Sequence, residues 1–478
     1  MSLKIFNTLS KEKEKFVPLS HPFVGMYVCG PTVYGDAHIG HGKSYISFDV
    51  IFRYLKFLQY KVLYVQNITD VGHLLGEANE GEDRLLRQSK IEQKHPMEIA
   101  ELYTRSFFED MDLLNVERPH ISPRATGHIT EQIELIEILL EKGFAYENNG
   151  SVYFDVSKFK EYGKLSNRKL DEAISGTRVE TRNEKKSPHD FALWKKAEVE
   201  HIMRWKSRWS VGFPGWHIEC SAMSMKYLGE TIDIHGGGID NQFPHHECEI
   251  AQSESATEKQ FVKYWIHNNL VTIDGQKMSK SLNNFVSLKN LFQKFGPLES
   301  RFFILQSHYR STLDFSEEAI LSSKKGYEKF LNFYFNLIER KTFSQTSNKI
   351  EVEKFYNSFF EAMNDDFNTA KAIAIIFDFI REFNSTISEN KILSEENFSE
   401  IKNFIDTTCG KILGIIPNKI EKKISTDEDE LMSLIINLRN ELRDAKHFKF
   451  SDKIRNELEN LNIVLEDTKE KTIWKKKN

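Results

Sequence analysis

Gly25-Met26-Tyr27-Val28-Cys29, Gly30-Pro31-Thr32-Val33-Tyr34-Gly35, His38-Ile39-Gly40-His41 and Val62-Leu63-Tyr64-Val65 together decide the fold. The first apolar run reads as a short buried strand and the last as a second, with a turn-rich loop after the first. Between them, from about His41, residues Tyr45, Phe48, Phe52 and Leu55 are spaced for one face of a long amphipathic helix. Strand, helix and strand in that order form a βαβ unit, which builds a parallel sheet with a right-handed crossover. The tetrapeptide His38 to His41 falls at the strand-to-helix junction. A helix start offers unpaired N–H groups and a positive dipole end, so anionic phosphates are expected there. Gly40 removes a side chain where a ligand must approach closely.

Outward from this unit the pattern changes several times. From about Pro119 to Trp205 it is less regular, with a helix over Glu131 to Glu141 and a hairpin around Ser151-Val152-Tyr153-Phe154. This stretch reads as an insertion that splits the nucleotide-binding domain. The βα pattern returns at Thr231-Ile232-Asp233-Ile234, followed by a predicted loop, His235-Gly236-Gly237-Gly238. After about Phe315 the chain is strongly helical, and a break near Pro417 with the run Thr426-Asp427-Glu428-Asp429-Glu430 marks a small final unit. The expected divisions are 1–118, 119–205, 206–255, 256–315, 316–422 and 423–478. No internal repeat is visible.

The bulk composition bounds the function classes. At 478 residues the chain is too long for one core. Its 40% apolar and 28% charged residues describe an ordinary soluble protein. A formal net charge of −5 gives no general affinity for nucleic acid, so any RNA contact must come from local basic surface. No stretch approaches the roughly 18 apolar residues of a membrane span. The first residues lack a signal-peptide pattern, so the cytoplasm is expected. Cysteines at 29, 220, 248 and 409 are too scattered for a disulfide framework and leave metal binding open.

Two constellations carry chemistry. One is the loop Lys277-Met278-Ser279-Lys280-Ser281, whose ammonium groups suit an anionic phosphate chain. The other is Cys29, Cys220, His245 and Glu249. His245 and Glu249 are four residues apart, so a helix there places both on one face. Two thiolates, an imidazole and a carboxylate suit zinc in softness and number. From spacing alone the set fits either a metal centre or buried free cysteines in a core.

The pairing of His38-Ile39-Gly40-His41 with Lys277-Met278-Ser279-Lys280-Ser281 resembles the two signatures of class I aminoacyl-tRNA synthetases. Cys29, Gly215-Trp216-His217-Ile218-Glu219-Cys220-Ser221, Asp233 to Gly238, Phe243-Pro244-His245-His246-Glu247 and the lysine loop follow in the order of cysteinyl-tRNA synthetases. The resemblance runs from about residue 20 to the C-terminus and is weakest in the helical region. Asn67-Ile68-Thr69-Asp70 fits it, whereas Val71-Gly72-His73-Leu74 replaces a more polar continuation.

That resemblance implies an α/β architecture. A Rossmann-type parallel-sheet catalytic domain with an inserted connective subdomain is followed by a helical anticodon-binding region and a small C-terminal unit. It implies zinc on Cys29, Cys220, His245 and Glu249, with the substrate thiolate as a fifth ligand. Sulfur and oxygen differ far more as zinc ligands than as shapes, so such a metal separates cysteine from serine. Cys248, beside Glu249, is read as a nearby thiol that competes by softness. Thr69, Trp216 and His235 would border the amino-acid pocket together with Cys29. His38, His41, Lys277 and Lys280 would be the catalytic residues, Lys280 foremost. ATP would meet His38, Gly40, His41, Gly238, Asp240 and Lys280, with Mg2+ as its counter-ion.

The implied partners are tRNA(Cys), L-cysteine and ATP, on a monomeric chain. Asn437 to Lys446 and Phe450 to Arg455 look like two basic helices for the tRNA, and Trp474 either stacks on a base or anchors the tail. A ligase joining activated cysteine to a small amine shares this core but lacks most of the C-terminal region, of which this chain has roughly 150 residues.

Overall fold

A computed structural model describes residues 2–72, 83–168, 184–199, 201–278, 284–339, 349–388, 393–417, 426–467 and 472–476. His73, Leu74, Ser279, Lys280 and Ser281 lie outside the described residues. The chain divides into two units, Met1–Ile416 and Pro417–Asn478.

The first unit is organised by strand β1 (Phe23–Val28), helix α1 (Ile39–Phe57), strand β2 (Lys61–Gln66), helix α2 (Trp216–Leu228), strand β3 (Ile232–Gly238), helix α3 (Glu247–Thr257) and strand β4 (Val262–Asn268). The strands lie in the order β4-β3-β1-β2, all parallel. Met26, Tyr27 and Val28 are fully buried, as in a sheet covered on both faces. The chain leaves β1 toward β2 on one side, while β3 adds on the other. The crevice beyond the carboxyl ends of β1 and β3 is therefore a topological switch point, where open α/β sheets bind ligands.

Two local expectations change in three dimensions. Helix α1 is not buried on one face only, because Lys43, Asp49 and Arg53 are buried along with its apolar residues. Their charges are met internally: Arg53 Nε donates to Asp49 Oδ2 at 2.8 Å, and the fully buried Arg301 also bonds Asp49. The predicted loop His235 to Gly238 is instead the last four residues of β3, paired to β4 through Gly238. The glycine at 236 is required by packing, since a Cβ there would overlap the Phe48 ring of α1. Three glycines in a row read as a turn locally, yet pairing of all three with β4, and of Gly236 with β1 as well, makes them a strand.

An antiparallel sheet is formed by Ala145–Asn148, Ser151–Phe154, Phe191–Lys196, Val211–Pro214 and Trp205–Lys206, in that order, so it continues past the boundary expected at 205. Its first hairpin turns on Asn149 and Gly150, at φ 53 and 83°, the left-handed pair that a two-residue hairpin needs. Helix Ile129–Glu141 packs with it through Leu135, Ile136 and Leu139. After β4, strand Val271–Ile273 pairs antiparallel with Gln276–Lys277 and parallel with Leu313–Phe315. Lys277 therefore ends a short strand rather than lying wholly in a loop. Helices Glu317–Glu339, Val352–Asn364, Thr369–Ser388 and Glu395–Ile405 follow, around an aromatic core that includes Phe333, Phe355, Phe359, Phe379 and Phe404.

The second unit has helices Thr426–Asp444 and Phe448–Asn460 and a hairpin of Ile463–Asp467 with Thr472–Lys476. Met432, Ile436, Leu458, Ile463 and Leu465 form its core, and Trp474 packs against them half-buried, as the anchoring alternative requires. No helix among the described residues is long and apolar enough to cross a membrane.

Candidate active site and metal centre

His38 caps α1, with extended backbone at φ −122° and ψ 171°. The His41 N–H donates to His38 Nδ1 and the His38 N–H donates to His41 Nδ1, each at 3.3 Å. The rings stack with centroids 3.8 Å apart. Because each Nδ1 accepts, a neutral ring carries its proton on Nε2. Burial, and then His38, hold His41 well below the ordinary histidine range, so it is a neutral donor. The helix start is more fully capped than the sequence implies: the Ile39 N–H goes to Val286 O at 3.1 Å, and the His41 N–H to the His38 ring. Hydrogen-bonding capacity toward an anion thus shifts from the backbone to the two imidazoles. Gly40 leaves no room for a Cβ, which would stand 2.9 Å from the His38 ring and 3.6 Å from the Met278 methyl.

Cys29 follows β1, Cys220 is on α2, and His245 and Glu249 straddle the entry to α3. A wide turn over Gln242–His246 leads into that helix, so His245 Nε2 comes 3.1 Å from Glu249 Oε1. The four donor atoms lie within 4.8 Å of one another, and all four residues are buried. A second set within the same reach, Cys29, His235, His246 and Glu249, shares two of them. Cys248 belongs to neither. It points into the core beside helix Ile129–Glu141 and sits 3.4 Å from the Tyr162 hydroxyl.

Around these donors stands a ring of histidines. His235 Nε2 is 2.8 Å from Glu249 Oε2, and its ring stacks on Trp265. His246 Nε2 is 3.1 Å from Cys29 Sγ, and its Nδ1 is 2.8 Å from His267 Nε2. His267 Nδ1 in turn is 2.8 Å from Thr8 Oγ1. His217 Nδ1 is 2.8 Å from His245 Nδ1. Burial lowers His217, His235 and His267 to about 3, and burial also pushes the Cys29 thiol and the Glu249 carboxyl upward. Neutral imidazoles with lone pairs, beside acids held from ionising chiefly by burial and, for Cys29, also by its neighbours Cys220 and Glu249, fit a divalent cation, whose charge stabilises the ionised thiols and carboxylate. A partner on the remote ring nitrogen orients a metal-ligating histidine, and here His217 occupies that place for His245.

Of the other anticipated residues, Trp216 and His235 contact this donor cluster directly. Trp216 stacks on His245 with centroids 4.2 Å apart. Thr69 donates to Glu219 Oε2 and accepts from Asn67 Nδ2, each at 3.1 Å. Gly238 ends β3 with open space where a Cβ would stand, and Asp240 follows in a short turn. Lys277 Nζ is 3.8 Å from Asp240 Oδ1. The Tyr45 hydroxyl of α1 donates to the Cys29 carbonyl at 3.2 Å, joining the signature helix to the metal centre. His217, His246, His267 and Glu219 were not anticipated from sequence as site residues. The His245-His246 doublet was a usable signal for one of them; nothing local marked His267.

Comparison with known proteins fits this geometry. The family profile described as the tRNA synthetases class I (C) catalytic domain matches residues 15–325, and that of the DALR domain matches 358–417. A cysteine–tRNA ligase of Chlorobaculum tepidum is 54% identical over 487 residues, covering 100% of this chain and 99% of that protein. The chain belongs to the cysteine–tRNA ligase family. A cysteine–tRNA ligase of Deinococcus radiodurans is 49% identical, over 99% of this chain and 97% of its own length. This family is a class I aminoacyl-tRNA synthetase family, and the fold is shared widely within the class. A Mycobacterium tuberculosis methionyl-tRNA synthetase in complex with methionyl-adenylate superposes with a TM-score of 0.57 at 14% identity, over 82% of this chain and 89% of that one.

Proposed function

We propose that the chain joins L-cysteine to tRNA(Cys) in two steps. The cysteine carboxylate attacks the α-phosphorus of ATP to give cysteinyl-adenylate and pyrophosphate, and the cysteinyl group then passes to the tRNA. Family membership supports the overall reaction. The convergence of Cys29, Cys220, His245 and Glu249 beside the phosphate-facing helix start supports the route and its selectivity.

Those four residues would hold zinc, since two sulfur donors suit it better than the single sulfur of the overlapping set. When bound, zinc supplies a thiophilic Lewis acid that favours a thiol over a hydroxyl. Trp216, Thr69 and His235 wall the amino-acid pocket around it. The Nε2–H groups of His38 and His41 donate to phosphate oxygens as charge develops at the α-phosphorus. Lys277 and Lys280 place positive charge on the departing pyrophosphate, with Mg2+ carried by ATP. Gly238 and Asp240 take the adenosine side. Residues 1–118 and 206–255 form the catalytic domain in this reading, interrupted by 119–205. The 256–315 segment carries the lysine loop, and 316–422 and 423–478 serve the tRNA.

The test is ATP–pyrophosphate exchange with purified protein, run with cysteine and with serine, alongside metal analysis. Cysteine-dependent exchange, near-silence with serine and one zinc per chain are expected. Exchange without cysteine preference, or preference in a zinc-free protein, would refute the metal-based selection.

A further inference from the structure

The side chain of Lys43 is buried. The residue is 1% exposed and stands two positions after His41 on α1. No carboxylate among the described residues pairs with it. Its Nζ donates instead to two backbone carbonyls, Leu270 O at 3.0 Å and Ser311 O at 2.5 Å. Burying an ammonium is costly, and few arrangements short of a carboxylate offset it. Its partners are therefore informative.

Leu270 and Ser311 stand just before strands Val271–Ile273 and Leu313–Phe315, which pair in parallel. The Leu270 carbonyl also accepts the Leu313 N–H at 3.0 Å, so one atom joins both strands to Lys43. Strand Val271–Ile273 carries Gln276–Lys277 on its other edge. Lys43 thus grips the root of the small sheet that presents Lys277. Next to it, Ser44 Oγ donates to Asn268 Oδ1 at 2.9 Å, fixing the same entry.

The exit of the lysine segment is tied to the same helix. The Leu288 N–H donates to Ala37 O at 2.8 Å, the Ile39 N–H donates to Val286 O, and the Phe285 ring meets the His38 ring edge-on. Both flanks of residues 279–283 therefore rest on the first turns of α1. At the exit the contacts are backbone bonds beside the histidines. At the entry, among the described residues, the hydrogen bonds from α1 come from the Lys43 and Ser44 side chains, and of these two Lys43 reaches the starts of both strands.

We propose that Lys43 is a positioning residue for adenylation: it sets the distance between the histidine pair and the lysine-bearing strand. This rests on the reading given under Proposed function. Its role is to act through Lys277 and its neighbours, with no contact to substrate.

Lys43→Met keeps an unbranched apolar side chain of similar size and removes the donors. Steady-state ATP–pyrophosphate exchange on the full chain should show kcat lower by about 10–100-fold, the penalty of a misplaced catalytic group. KM for cysteine and zinc content should remain at the wild-type values, because the metal donors come from the end of β1, α2 and the entry to α3 and not from the small sheet that Lys43 grips. Lys43→Arg, which keeps long-range donors, should recover most of the lost kcat. Wild-type kcat in Lys43→Met would overturn the proposal. So would a joint loss of kcat, cysteine KM and zinc, which marks general unfolding, or a Lys43→Arg protein as slow as Lys43→Met. Absence of cysteine-dependent exchange in the wild type would instead refute the functional reading itself.

Discussion

His235 Nε2 stands 2.8 Å from Glu249 Oε2, while the other oxygen of the same carboxylate faces His245 Nε2 at 3.1 Å. One buried carboxylate thus joins a pocket residue to the proposed metal ligands. Removing the outer imidazole should loosen the metal without removing a ligand of the favoured set. His235→Ala is expected to weaken zinc by about 10–100-fold, read by chelator competition, and to raise the cysteine KM. Zinc affinity equal to the wild type would show that the contact does not orient Glu249.

The thiols of Cys29 and Cys248 should behave in opposite ways. Cys29→Ser loses a donor common to both sets and is expected to lose stoichiometric zinc and cysteine-dependent exchange. Cys248→Ala removes a thiol whose neighbours are Tyr162 and an apolar core, so full zinc content should persist with a modest loss of thermal stability. Zinc loss in Cys248→Ala, measured by metal analysis, would put that sulfur in the coordination sphere.

Asp110 predicts a pH effect unrelated to the metal. It is 3% exposed, and its Oδ2 has no hydrogen-bond partner. Burial pushes its carboxyl up to about 6, with Lys289 opposing and Asp36 and Glu109 adding to the rise. Between about pH 4 and 6 the folded protein therefore binds more protons here than the unfolded chain does. The stability tied to that proton is present at low pH and is lost as pH rises through 6. Asp110→Asn should be more stable than the parent by about 1–2 kcal/mol near neutrality and converge with it in acid. Equal melting temperatures near neutrality would contradict this.

Gly236 predicts a steric effect. A Cβ on this strand would overlap the ring of Phe48, a fully buried core residue of α1. Gly236→Ala should cost about 2–3 kcal/mol in urea denaturation, and Phe48→Leu should recover part of it. Gly238→Ala, which meets open space, should leave stability near the wild type and provides the control.

The amino-acid sequence by itself determined a good deal. Apolar spacing marked β1, α1 and β2, because hydrophobic periodicity is a local property. The order of the signature segments pointed to the family and singled out the four donors, Cys29, Cys220, His245 and Glu249, that lie together in the fold. What only the tertiary structure decided involves neighbours remote in the chain. His267 meets Thr8 across 259 positions, and Lys43 finds its carbonyls 227 and 268 positions away. The same holds for the triple glycine, a turn by composition and a strand by its pairing with β4. Residue type fixes what a side chain can bond, but strand order decides which partners come within reach, and a buried polar group must take the partners it is given.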